Sequence, residues 1–181
     1  MVEARDAAIL ELIERIRRET GRPVPTIDPD GPGADARVMV VLETPGQLGA
    51  ASTGVLSPLK NEDNTASIQR RYMSKAGLNP EVCLFWNAVP WDLGARRKPK
   101  AREQRVGGEY LLDMAVLLPK LRAVLLCGRT AQAVGERAGL TRRIPNVEVI
   151  SVPFPNSLGL YANGGEPAYV EGLRRTVEVL R

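Results

Sequence analysis

Arg37-Val38-Met39-Val40-Val41-Leu42-Glu43-Thr44-Pro45-Gly46 is the stretch whose reading decides the fold. Its apolar run is continuous and rich in β-branched residues, with no polar residue alternating through it. A strand of that kind is buried on both faces, as inner strands of parallel sheets are. Working outward, three more runs read the same way: Val82-Cys83-Leu84-Phe85-Trp86-Asn87, Ala123-Val124-Leu125-Leu126-Cys127 and Val147-Glu148-Val149-Ile150-Ser151-Val152. Helical spacing fills the gaps, over residues 63–76, 104–118 and 131–138, and a last helix is predicted over 166–180. An opening helix over 4–20 carries Ala8, Ile9, Leu12, Ile13 and Ile16 on one face and is ended by Gly21-Arg22-Pro23. The turn-rich stretch 25–36 reads as a loop feeding the first strand. Strands alternating with helices predict an α/β fold with a parallel sheet covered on both faces. With 181 residues, the whole of 1–181 is expected to form one domain.

Composition narrows the chemistry. There is no histidine, which removes every mechanism that needs an imidazole base or metal ligand. Carboxylates, amides, hydroxyls, Lys, Arg and backbone groups remain. Two cysteines, Cys83 and Cys127, cannot build a disulfide framework or a four-thiolate metal centre, and both are expected as small buried residues on neighbouring strands. No apolar run is long enough to span a membrane, and the charged N-terminus does not read as a secretory signal, so a cytoplasmic location is expected. The formal charge of +4 suits a nucleic-acid partner without requiring one.

In an open α/β sheet, ligands gather beyond the carboxyl ends of the strands. The first strand delivers Glu43 there, followed at once by a Pro-Gly turn. Glu43 is either an ordinary boundary charge or a carboxylate placed to orient a water or stabilise a developing cation. The second strand delivers Asn87, whose planar amide could match the edge of a heterocycle or cap the next loop. The third ends in Gly128-Arg129-Thr130 at a helix start, a weak anion-site signal. The fourth ends in Pro153-Phe154-Pro155-Asn156-Ser157. The basic run Arg96-Arg97-Lys98-Pro99-Lys100-Ala101-Arg102 is either a solvated loop or a contact to a phosphate backbone.

Several of these segments resemble the uracil-DNA glycosylase superfamily, in sequence order. Glu43-Thr44-Pro45-Gly46 looks like its first motif, in the branch where a Glu precedes a small residue, Pro and Gly. Gly54-Val55-Leu56-Ser57 with Asn61-Glu62-Asp63-Asn64-Thr65-Ala66 is similar to the segment that follows it. Trp86-Asn87-Ala88-Val89-Pro90-Trp91 looks like the second-strand element, and Leu126-Cys127-Gly128-Arg129-Thr130-Ala131-Gln132-Ala133 resembles the third strand and its helix. The resemblance implies a three-layer α/β/α sandwich around a four-stranded, mostly parallel sheet. It implies flipping of a deaminated base out of duplex DNA into a pocket, then hydrolysis of the N-glycosidic bond. A monomer with no cofactor, no metal and no membrane partner is expected. Carried over, Glu43 would position the attacking water and stabilise an oxocarbenium-like sugar, while Asn156 and Ser157 are candidates to replace the closing-motif histidine as donors to the leaving base. Asn87 would bond the base edge, and Gln47, Val55, Leu56 and Phe154 would surround it. Arg96, Arg97, Lys98, Lys100 and Tyr161 would contact DNA, the last from a loop over 158–165 suited to insertion.

Three departures from the family pattern stand out. Phe154 occupies the place of the closing-motif histidine, and a hydrocarbon ring cannot donate a hydrogen bond to the leaving base. Val55-Leu56 stands where relatives stack an aromatic ring on it. The four cysteines of the iron–sulfur branch are missing. An active glycosylase working without histidine, a member that binds DNA or a partner without efficient catalysis, and a nucleoside or nucleotide hydrolase all fit this reading.

Overall fold

The structure is a computed structural model that describes residues 2–94 and 97–181. A helix, α1 (Val2–Thr20), leads into a short strand β1 (Thr26–Ile27), then β2 (Val38–Leu42). A single helical turn, α2 (Ala50–Thr53), and the short strand β3 (Val55–Leu56) precede helix α3 (Asn64–Ala76) and strand β4 (Cys83–Asn87). Helix α4 (Ala101–Val116), strand β5 (Ala123–Cys127), helix α5 (Gly128–Ala138), the turn α6 (Leu140–Arg143) and strand β6 (Glu148–Val152) follow. A π-helical turn over Leu158–Ala162 and helix α7 (Glu166–Val179) complete the chain.

The four long strands form one sheet in the order β4-β2-β5-β6, and every pairing in it is parallel. The expected "mostly parallel" sheet is therefore wholly parallel. β2 lies inside it, with Val38 to Val41 all buried, which is what its unbroken apolar run requires. Register sorts the side chains to two faces. Leu42 pairs with Asn87, Val40 with Phe85 and Leu125, and Leu125 with Ile150, so these share one face. α7 covers that face: a Cβ at Gly172 would run into Val152 and touch Ile150. α3 packs beside α7. Leu126 points to the other face, under α5, where Gly135 sits too close to it for a side chain. α4 packs on α5, and α1 on α4. Helices thus cover both faces, giving the three-layer sandwich.

Three local features differ from the sequence reading. The stretch 25–36 is not pure loop, because Thr26–Ile27 pairs in parallel with Val55–Leu56 as a second, two-stranded sheet. Two-residue strands carry no readable periodicity. α4 and α5 each begin three residues earlier than their apolar spacing suggests. At α4 the Glu103 carboxylate folds back to accept the Lys100 backbone N–H at 2.7 Å, which caps the helix start. Cys83 and Cys127 are both buried, but β2 lies between their strands, so they are not on neighbouring ones. Burial pushes both thiols above the ordinary thiol range.

Candidate active site

The carboxyl ends of β2, β4, β5 and β6 open at one edge of the sheet. Backbone pairing between β2 and β4 continues beyond the strands, with Ala88 N–H donating to Leu42 C=O at 2.8 Å and Val89 N–H to Glu43 C=O at 3.0 Å. Glu43 is therefore held as rigidly as a strand residue. Being one residue past Leu42, it projects toward the opposite face. Asn87 turns toward α3, while Glu43 turns toward α5.

Glu43 meets two donors, and both converge on one oxygen. The Thr130 hydroxyl, in the first turn of α5, donates to Oε2, and Lys98 Nζ donates to the same atom at 2.7 Å. Oε1 has no hydrogen-bond partner among the described residues. The Glu43 side chain is 17% exposed and the Lys98 side chain 80%. Glu43 thus stands at the wall of an open cleft of about 600 Å³, which Thr44, Pro45, Gln47, Asp63, Asn64, Arg97, Lys98 and Asn156 also line.

A narrower pocket of about 80 Å³ continues inward from that cleft. Thr44, Pro45, Gly46, Asp63 and Thr65 border both spaces. The pocket is lined further in by Leu56, Gln69, Phe85, Asn87 and Phe154. Its volume is several times the roughly 10–15 Å³ that one water needs. Asn87 is 1% exposed and Gln69 2% exposed, and among the described residues neither Asn87 Oδ1 nor Gln69 Nε2 has a hydrogen-bond partner. Trp86 Nε1 is a third unpartnered buried atom, but alternation along β4 sends its indole to the opposite face.

Local sequence explains how the walls are held. Asp63 caps α3, its carboxylate accepting from the backbone N–H groups of Thr65 (2.9 Å) and Ala66 (3.2 Å). Gly49 lies so close to that carboxylate that a Cβ would collide with it. Asn61 is buried and fixes the loop between β3 and α3, donating to Val55 C=O and Ser57 C=O at 3.0 and 2.8 Å and accepting from the Thr53 hydroxyl at 2.7 Å. Gly128 has φ +86°, and its missing side chain leaves room for Phe154 to pack on it.

The structure brings Asn87, Leu56 and Phe154 to the inner pocket, and Glu43, Gln47, Arg97, Lys98 and Asn156 to the outer cleft. Gln47 donates to Asp92 Oδ1 at 2.6 Å there, rather than facing the inner pocket. Asn156 is engaged locally, its Oδ1 accepting from Gly159 N–H at 2.7 Å. Ser157 lines neither space, and its hydroxyl accepts from Asn64 Nδ2 at 3.2 Å. Val55 and Lys100 also lie outside both spaces. Arg97 is tied by two bonds, of 2.7 and 2.8 Å, to Glu103, whose carboxyl this partner holds down at about 2. Tyr161 sits in the π-helical turn, not an open loop, with its hydroxyl 3.5 Å from that of Tyr72. Tyr72 lies two turns, about 12 Å, along α3 from Asn64. Arg96 lies outside the described residues.

Two participants were not singled out from sequence. The sequence marks Thr130 only as part of a helix start, and nothing in its neighbourhood signals a bond to a residue 87 positions away. Gln69 left a readable trace: it interrupts the apolar stripe of α3 between Ala66 and Tyr72. Among the described residues, no acidic or cysteine cluster could hold a metal ion.

Solved structures place the architecture. SMUG2 of Pedobacter heparinus superposes with a TM-score of 0.58 over 94% of this chain and 97% of its own, at 10% sequence identity. The two chains share a fold. No protein-family model and no curated protein matches the sequence.

Proposed function

We propose that the chain is a DNA glycosylase of the uracil-DNA glycosylase superfamily, releasing uracil or a related deaminated base. The observation that carries this reading is the join between two spaces: a buried pocket with unpartnered amide groups, and an open cleft whose wall holds a half-engaged carboxylate, Glu43, next in sequence to Thr44, which borders both. A flipped base enters the pocket, while its sugar and flanking phosphates stay in the cleft. The bond to be cut then lies where the two meet, beside Glu43. The fold shared with SMUG2 and the ordered motif resemblance support the same reading.

In this mechanism Glu43 uses its oxygens differently. Thr130 fixes Oε2, with Lys98 joining it in the free protein, which leaves Oε1 to accept a hydrogen bond from a water. The electron pair of the C1′–N bond departs with the base, and the sugar takes on oxocarbenium character that the carboxylate stabilises. The water oxygen bonds to C1′ and its proton passes to Glu43. No imidazole is available to donate to the leaving base, and Phe154 forms that part of the wall with hydrocarbon. Loss of one such donor costs about a hundred- to a thousand-fold in rate, so a slow enzyme is expected.

The test is incubation with a labelled duplex carrying one uracil, then alkaline cleavage of abasic sites. Strand scission that vanishes in Glu43→Gln supports the reading. Absence of scission across a panel of deaminated bases, by a folded chain that binds DNA, overturns it in favour of a non-catalytic DNA-binding member.

A further inference from the structure

Gln69 is a buried polar residue on an otherwise apolar helix face. It lies on α3, in line with Ala66 and Tyr72, which are both buried. An apolar side chain would complete that stripe. Its Nε2 is instead buried and unpartnered, in a molecule where the neighbouring buried amide, Asn61, satisfies both of its ends. A donor left this way costs stability unless something from outside meets it. Asn87 lines the same pocket and offers the complementary orphan, an acceptor.

Resting on the glycosylase reading above, we propose that Gln69 is a base-selecting residue: its Nε2 donates to a ring carbonyl of the flipped base while Asn87 Oδ1 accepts from the ring N–H beside it. The pair selects a lactam edge, an N–H next to a C=O. Uracil carries that edge. Cytosine carries no hydrogen on the corresponding ring nitrogen, so its lone pair would face the Asn87 oxygen. Asn87 alone could rotate its amide to suit either base. The second group, on a different element, removes that freedom.

Gln69→Met and Gln69→Glu test it, each read by uracil release from duplex DNA, by binding of free uracil in isothermal titration, and by thermal unfolding. Gln69→Met is expected to lower release and binding by about ten- to a hundred-fold, with a melting temperature equal to or above wild type. Gln69→Glu, which presents an acceptor only, is expected to lose uracil binding at least as far. Release and binding unchanged in Gln69→Met would overturn the assignment, and so would a marked fall in its melting temperature, because Gln69 would then be a structural group. Uracil binding that weakens in Gln69→Met, in a chain that releases no base, leaves the assignment standing and removes the glycosylase reading. Release equal in both proteins does the reverse, and neither release nor binding in wild type removes both.

Discussion

Lys98 Nζ lies 2.7 Å from Glu43 Oε2, so a lysine on the basic run that the sequence offered for DNA contact is spent, in the free protein, on the candidate catalytic carboxylate. The ammonium is largely exposed, and exposed ion pairs add little stability. A DNA phosphate entering the cleft competes for it. Lys98→Met is expected to leave the melting temperature nearly unchanged and to lower the slope of log affinity against log salt by about one. A slope equal to that of wild type would show that Lys98 stays with Glu43 when DNA binds.

Glu43→Gln keeps the size and the hydrogen bond from Thr130 but removes the charge. Base release is expected to fall by at least about a hundred-fold, since charge stabilisation of the sugar is lost. Duplex affinity should hold or rise, because one negative charge leaves the cleft. Single-turnover release together with a binding titration checks both halves, and unchanged turnover would remove Glu43 from the mechanism.

Phe154→His returns a donor to the pocket wall. Phe154 packs on Gly128, and the smaller imidazole fits the same space. Uracil release is expected to rise, up to about a hundred-fold if the ring reaches the leaving oxygen. A folded variant with no gain would mean that Phe154 does not stand at the position where the family places its histidine.

Arg97 and Glu103 give a pH signature at the base of the same loop. The guanidinium bonds hold the Glu103 carboxyl at about 2, below its ordinary 4.5. A carboxyl with a depressed folded-state value stabilises the fold above the ordinary value, and loses that contribution as pH falls toward the folded one. Arg97→Met should therefore melt about 2–4 °C below wild type at neutral pH. The gap should close as pH falls from about 4.5 to about 2. Melting curves across that range check it, and a gap independent of pH would point to lost packing instead.

The sheet was legible because burial on both faces leaves an unmistakable run, as in Val38–Leu42 and Ala123–Cys127. Strand ends were legible for the same reason, and with them Glu43 and Asn87. Contacts between distant elements were not. Thr130 reaches Glu43 only because β5 pairs with β2, and no local pattern encodes that bond. The basic run shows the limit from the other side: composition marks Arg97 and Lys98 as cations, but their partners Glu103 and Glu43 are fixed by the fold. The pairing of Thr26–Ile27 with Val55–Leu56 escaped because two residues are too few to show a period.

The all-parallel order β4-β2-β5-β6 also sets a schedule for the chain's birth. No strand of this sheet pairs with one joined to it by a tight turn. β2 gains its first neighbour only when synthesis has passed Asn87, and its second only past Cys127. Until then the most apolar segment of the protein has bare edges on a ribosome-bound chain. Such segments fold slowly and are the ones that aggregate or recruit chaperones. The carboxylate at the end of β2 is thus among the first functional groups made, and it cannot be positioned until α5 has emerged with Thr130.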